Sequence, residues 1–209
     1  TLRTLQILSA LGDTLYKINK EGHLSPSLAK DLPKVSNNGL QIDIPLKENI
    51  YFHDGSIFNA EAMAFSLNRF MKIGTLNYLL NDKIEDIEVK DEFLLRIKLK
   101  KRSSSIKSLL TSVNLTPVSP NSYTDYKDKF NNKNFIGTGP YFLESFSSSQ
   151  QIIKPFNNYW GRKPLNEGID FINYSNSSTL FGAIKTKEVD VLISNSIDDM
   201  HRLTLNNMV

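Results

Sequence analysis

Asn37-Asn38-Gly39-Leu40-Gln41-Ile42-Asp43-Ile44-Pro45-Leu46 is the stretch on which the fold class turns. Asn-Gly takes positive φ at little cost, so residues 37–39 predict a hairpin turn. Behind it Leu40, Ile42, Ile44 and Leu46 alternate with polar residues, the period of a half-buried strand. Pro45 has no N–H to give to a ladder, so that end of the strand is expected at a sheet edge. His53-Asp54-Gly55 makes a second turn. Asn59 then has the chemistry of a helix cap, since its side chain accepts from the free N–H groups of a first turn, and Glu61 sits at the positive end of the helix dipole. Met63, Leu67, Phe70 and Met71 recur at helical spacing, so one face of that helix packs on the sheet.

Outward from this segment the chain alternates hairpins with helices. Upstream, Leu2 to Leu11 reads as a short helix or turn, a strand lies near Leu15–Ile18, Lys20-Glu21-Gly22 is a turn, and Leu24–Ala29 is irregular with two apolar anchors. Downstream, Ile84–Val89 and Phe93–Leu99 form a hairpin around Lys90-Asp91-Glu92, with Phe93, Leu95, Ile97 and Leu99 on one face. Ser103–Ser105 is expected to cap a helix through Ile106, Leu109, Leu110 and Val113. Tyr123–Asn134 is polar and loop-like. After Gly137-Thr138-Gly139-Pro140, Tyr141–Phe146 and Gln151–Phe156 make a hairpin across Ser147–Gln150. Gly168 precedes a strand at Ile169–Tyr174, Ser177 or Ser178 caps a helix through Leu180, Phe181 and Ile184, and Val189–Ile193 is a last strand. That β–α–β order predicts a parallel pairing. The fold class is α/β.

The 209 residues suffice for one large domain or two small ones. Apolar residues at 40% and charged residues at 22% are globular values and exclude a disordered chain. Lys+Arg 25 against Asp+Glu 22 leaves +3, scattered and without a basic stripe, so nucleic acid is not an expected partner. No apolar run has membrane-span length. The absence of Cys excludes disulfide scaffolds, thiolate metal sites and cysteine nucleophiles.

Catalytic chemistry finds no complete set of groups. His53-Asp54 has the composition of a dyad, but His23 and His201 lie far away in sequence and no His-x-x-x-His spacing exists, so turn and packing roles are preferred. Gly137-Thr138-Gly139-Pro140 lacks the Lys-Ser/Thr of a phosphate loop, and Pro140 removes a needed N–H. It reads as a tight turn with positive φ expected at one or both glycines. Gly-x-Ser-x-Gly is absent. Phe156, Tyr159 and Trp160 read as a core plug before a ligand platform. Tyr78, after Asn77 in a short polar linker, is a ligand-contact candidate. No catalytic residue, cofactor or metal ligand is expected.

Four segments, in order, resemble the family 5 extracellular solute-binding proteins of bacterial ABC importers, which take oligopeptides, dipeptides or nickel. They are Leu11-Gly12-Asp13-Thr14-Leu15 through Gly22-His23-Leu24-Ser25-Pro26-Ser27-Leu28-Ala29, with Gly12 and Thr14 departing from the family string; Asn38-Gly39-Leu40 through His53-Asp54-Gly55 and Asn59-Ala60-Glu61-Ala62; Gly137-Thr138-Gly139-Pro140-Tyr141; and Asn157-Asn158-Tyr159-Trp160-Gly161. Lys187-Glu188-Val189-Asp190, where the family has G-E-I-D, is a weaker fifth.

The resemblance implies a periplasmic-binding-protein-like lobe, a mixed sheet with flanking helices and an inserted α+β subdomain, the second lobe missing. It divides the chain into a discontinuous lobe-one core, 1–23 and 137–209, and a subdomain, 24–136. It further implies a ligand cleft wall at Leu2, Arg3 and Thr4, at Asn77 and Tyr78, and at Ser112, Asn114 and Leu115, all in loops. Nickel-binding members carry an arginine in the third place, where this chain has Val113, Asn114 and Leu115. His53, Asp54, Gly55, Gly137, Thr138, Gly139, Pro140, Tyr141, Tyr159 and Trp160 are expected to be structural. The implied partners are a peptide or other small solute and ABC permease subunits. The implied place is periplasmic or extracytoplasmic, the full-length form being either free or lipid-anchored. A nickel-chelate binder ranks second, and a sensory or interaction module, or a small hydrolase, lies further behind.

Overall fold

Alternating burial along Gln41–Pro45, with Ile42 and Ile44 fully buried, organises the principal sheet of the molecule. The structure, a computed structural model, describes residues 2–123 and 135–194, with side chains from residue 6 onward. All of the expected 123–134 loop but Tyr123 lies outside the described residues. Two compact units emerge: Thr1–Phe146 with Ile152–Ile169, and Ser147–Gln151 with Asp170–Val209.

The larger unit opens with helix α1 (Leu2–Leu11), then strand β1 (Tyr16–Ile18), which pairs antiparallel with β2 (Leu24–Pro26). Leu24–Pro26 is thus a strand, where the sequence suggested irregular chain. Leu28 and Ala29, just beyond it, are fully buried. Next come β3 (Lys34–Ser36), β4 (Gln41–Pro45), α2 (Ala60–Ile73), the single turn α3 (Tyr78–Asn81), β5 (Ile84–Asp91), β6 (Leu94–Leu99) and the single turn α4 (Ile106–Leu109).

Strands β3, β4, β6 and β5, in that spatial order, form an antiparallel sheet. Asn37, Asn38 and Gly39 hold φ of 50°, 51° and 85°, so the Asn-Asn-Gly turn is made as its composition requires. Pro45 corrects one expectation, because β4 is interior and Pro45 pairs with Leu94. The proline is tolerated because β3 has ended on that side: its last partner on β4 is Asp43. Asn59 caps α2 by accepting from the Ala62 N–H at 3.0 Å. Met63 and Leu67 are fully buried against the sheet, with Phe70 and Met71 partly so. Asp43 and Arg96, opposite each other on β4 and β6, form a two-pronged ion pair at 2.7 and 2.8 Å.

The expected helix after Ser103 is short. The Ser105 side chain makes no cap and instead exchanges a hydrogen bond with Ser103, and Val113–Leu115 is a separate 3-10 turn. Strands β7 (Tyr141–Phe146), β8 (Gln150–Pro155) and β9 (Ile169–Ile172) form a three-stranded sheet in that order.

In the smaller unit, helix α5 (Ser177–Lys185) is capped by Asn176, whose Oδ1 accepts from the Thr179 N–H at 2.9 Å, and not by Ser177 or Ser178. Its far end closes with the Glu188 N–H on the Ala183 carbonyl and the Lys187 N–H on that of Ile184, a pair of bonds that needs left-handed backbone at residue 187. Lys187 supplies it at φ 58°. The expected last strand does not form. Residues 189–194 carry no strand, and Val191 and Ile193 are 75% and 55% exposed, so the expected parallel βαβ unit is absent among the described residues. A strand needs a ladder of hydrogen bonds to a neighbouring strand, and here the Val189 N–H instead turns back to the Ala183 carbonyl at 3.4 Å.

Lys187→Gly is expected to raise stability by about 0.5–1 kcal/mol, since glycine takes positive φ without the Cβ penalty. A higher urea midpoint checks this. A lower one would show that the lysine side chain matters more than the backbone.

Candidate functional site

The strings that are far apart in sequence interlock around residues 135–140. The Gly139 N–H donates to the Leu11 carbonyl at 3.0 Å, the Asp13 N–H donates to Thr138 Oγ1 at 3.3 Å, and the Ser119 N–H donates to the Ile136 carbonyl at 2.9 Å. On the other side, the His53 N–H donates to the Gly137 carbonyl at 3.0 Å. Gly137, Thr138 and Gly139 are all buried. Neither glycine holds positive φ, which corrects the expectation for this turn. They are glycines because backbone lies against them: a Cβ on Gly137 would stand 2.2 Å from the Leu11 oxygen, and one on Gly139 2.4 Å from the Gly12 nitrogen. Pro140, with no N–H of its own, offers its carbonyl to the Phe156 N–H at 2.8 Å, and Tyr141 Oη donates to Asn166 at 2.7 Å.

His53 uses its whole ring. The Gly137 N–H donates to Nδ1 at 3.3 Å, which places the ring proton on Nε2, and Nε2 donates to the Gly139 carbonyl at 3.1 Å. Phe156 and Phe142 meet the imidazole edge-to-face, with centroids at 5.0 and 6.4 Å. Burial pushes the imidazole pKa down to about 4, against the weaker upward pull of the Gly139 carbonyl, Asp54 and Asp13. Asp54 accepts 2.5 Å bonds from the hydroxyls of Ser119 and Ser56. Burial acts to raise its pKa, but these hydrogen bonds outweigh it and hold the carboxyl below its ordinary range. Gly55, at φ 84°, completes the turn. The His53-Asp54 pair is therefore a clamp: His53 holds the backbone of residues 137 and 139, and Asp54 holds Ser56 and Ser119.

A second cluster centres on Asp13, a site that sequence reasoning missed. Its carboxylate, 4% exposed, accepts from Trp160 Nε1 at 3.0 Å, Lys17 Nζ at 2.8 Å and Tyr159 Oη at 3.4 Å. Lys47 Nζ stands 4.3 Å above the Trp160 ring. Burial lowers the Lys47 pKa, partly offset by Asp13. Burial, then Asp13, raises that of Tyr159. Asp13 and the pair Tyr159-Trp160 stand in two of the resembling strings, but nothing in either string joins them.

The three expected wall segments are placed unevenly. Leu2, Arg3 and Thr4 belong to α1 and not to a loop, and their side chains lie outside the described ones. Asn77 is half-buried, and Tyr78 opens α3, with 54% of its surface exposed. Ser112 accepts from the Asn114 N–H at 3.4 Å, Asn114 is exposed, and Leu115 is a core residue at 7% exposure. Helix α1 lies against the Val113–Leu115 turn, and α3 packs on α2 and β5. Among the described residues no cluster of three or more His, Asp or Glu has the arrangement of a metal site, and no helix is long and apolar enough to cross a membrane.

The profile of the bacterial extracellular solute-binding proteins, family 5 Middle, matches residues 23–209, and the chain belongs to that family. The family is one of solute-binding proteins and not of enzymes.

Among its relatives, the nickel-binding protein NikA of Staphylococcus aureus is 32% identical over 154 residues, covering 73% of this chain and 29% of that protein. The glutathione-binding protein GsiB of Escherichia coli O1:K1 is 30% identical over 149 residues, covering 70% and 29%. The chain thus spans about 29% of the length of these curated relatives. An ABC transporter substrate-binding protein from Sinorhizobium meliloti superposes with a TM-score of 0.83 at 25% identity, covering 96% of this chain and 42% of its own. A dipeptide-binding protein from Pseudoalteromonas sp. SM9913, in complex with Met-Leu, shares the fold with a TM-score of 0.84 at 22% identity, covering 98% and 45%.

Proposed function

We propose that this chain is the N-terminal lobe of the substrate-binding component of an ABC-type importer, which captures a peptide or similar small solute outside the cytoplasm and delivers it to membrane permease subunits. The match of the family profile over residues 23–209 carries this reading. In it, residues 1–23 and 137–209 are the lobe-one core, residues 24–136 are an inserted subdomain, and Tyr78 on α3 contributes to the wall of the ligand cleft with Asn77. Tyr78 suits the role because a large aromatic ring is held in water at the start of a helical turn. A nickel complex is the second reading, favoured by the relative named as a nickel-binding protein and weakened by Val113, Asn114 and Leu115 standing in the segment where the resemblance implies an arginine.

A cleft that buries most of a ligand needs two walls. Calorimetry on the full-length gene product, with a panel of di- to pentapeptides, glutathione and chelated nickel, is expected to show saturable binding of one class. Tyr78→Ala should weaken it by about tenfold, or ~1.4 kcal/mol, with an unchanged thermal midpoint. Residues 1–209 alone should bind none of them measurably. Failure of the full-length protein to bind any member, or tight binding by residues 1–209 alone, would overturn this account of the cleft.

A further inference from the structure

We propose that His53 is an acid-released latch: its neutral ring fastens the 135–140 loop to the 53–55 turn, and taking up a second proton lets that loop go. The geometry makes the ring specific for one state. Nδ1 is an acceptor facing the Gly137 N–H and Nε2–H is a donor facing the Gly139 carbonyl. In the imidazolium both nitrogens are donors. The Nδ1–H would then point at the Gly137 N–H, so one hydrogen bond is lost and two donors face each other. The hydrogen bond at Nδ1 is the one it accepts from the Gly137 N–H.

The groups around the ring do not rescue the cation. Phe142 and Phe156 pack edge-to-face against it and offer it no hydrogen-bond acceptor. The charged groups that act on it are Asp54, on its own turn, and Asp13, from the segment between α1 and β1. Asp54 is occupied by Ser56 and Ser119, and Asp13 by Lys17, Tyr159 and Trp160. Burial outweighs their attraction and holds the imidazole pKa near 4 in place of 6.5. With the folded value below the unfolded one, the unfolded chain takes the proton first as pH falls. Stability from this group is therefore complete above about pH 6.5 and is lost progressively toward pH 4.

Release is local. The 135–140 loop leads directly into β7 at Tyr141, and its other anchors, on Leu11, Asp13 and Ser119, contain no histidine. The sheet of β3 to β6 takes no part in the latch. Acid should thus loosen the root of β7 before the principal sheet. This inference does not depend on which solute the protein binds.

The test uses the whole chain, with proton NMR of the histidine Cε1–H resonances, assigned with His23→Gln and His201→Gln, and hydrogen exchange of backbone amides between about pH 7 and pH 4. His53 should titrate near pH 4, well below the ordinary imidazole value of 6.5. Protection of the Gly137 amide, corrected for intrinsic exchange, should fall by about tenfold or more across that window, while the Ile97 amide in β6 holds. In His53→Gln, whose side chain offers one acceptor and one donor that do not titrate, the pH dependence at Gly137 should flatten. An ordinary His53 titration near pH 6.5, or Gly137 protection that is flat in the wild type, overturns the latch even if the glutamine variant fails to fold. An unchanged pH dependence in a folded His53→Gln overturns it equally.

Discussion

Gly139→Ala is expected to lower stability by about 3 kcal/mol or more, the sum of an overpacked contact and a lost buried hydrogen bond. The added Cβ would lie 2.4 Å from the Gly12 nitrogen and from the Leu11 carbonyl carbon, and 2.5 Å from the Ala10 oxygen. All three are backbone atoms, so no side chain can swing aside. Relief requires the end of α1 to separate from the 135–140 loop, and that separation breaks the Gly139 N–H bond to the Leu11 carbonyl. Gly182→Ala is the control. Gly182 lies inside α5, and a Cβ added there would meet nothing within 4 Å outside the helix's own backbone. Alanine at that position should stabilise by about 0.5–1 kcal/mol through helix propensity. Urea midpoints decide both. A Gly139→Ala midpoint equal to that of the wild type would mean that the close approach of these backbones is not what fixes the loop.

The same glycines show how far the sequence could be read. Gly-Thr-Gly-Pro announces a break in the chain, and the break is there. Its sequence suggests positive φ, however, because that is the local reason for glycine. The actual reason is the backbone of residues 10–12, which no window around residue 139 contains. Features with local causes were legible: the Asn-Asn-Gly hairpin, the Asn59 cap and the alternation in β4 and β6. Where two local partners compete, the reading failed. Ser105 turned to Ser103, and Asn176, a cap at least as good as the serines after it, took the start of α5. The last strand failed because a strand at Val189–Ile193 needs a neighbour to pair with, which no local reading supplies. Tyr78 was legible as exposed but not as the first residue of a helical turn. The Asp13 cluster was beyond reach, since its donors come from residues 17, 159 and 160 and only the fold assembles them.

Asp13→Ala should cost about 3 kcal/mol, because it strands the donors that the carboxylate now satisfies. Three side chains converge on it, but they do not lose equally. Lys17 is 55% exposed and returns to water at little cost. Trp160 Nε1–H and Tyr159 Oη are partly buried beside the core, and Asp13 is their acceptor. Leaving each without its bond costs about 1–3 kcal/mol. Asp13→Asn should fall between wild type and alanine, since the amide keeps one acceptor while its NH2 faces a donor. Trp160→Phe removes the stronger of the two neutral donors, and in the Asp13→Ala background it should cost less than in the wild type. The expected coupling in that double-mutant cycle is about 1 kcal/mol or more. Trp160 is the single tryptophan of the chain, so its fluorescence reports on the cluster in the Asp13 variants, and far-UV circular dichroism serves for the Trp160 variants. Salt offers a further discrimination. If the exposed Lys17 pair dominated, added salt would erase the difference between wild type and Asp13→Ala. A difference that survives high salt assigns the stability to the Trp160 and Tyr159 bonds, and with them the joining of residues 157–161 to the start of the chain. Strict additivity in the cycle would instead show that Asp13 and Trp160 contribute separately and that the link between these two segments lies elsewhere.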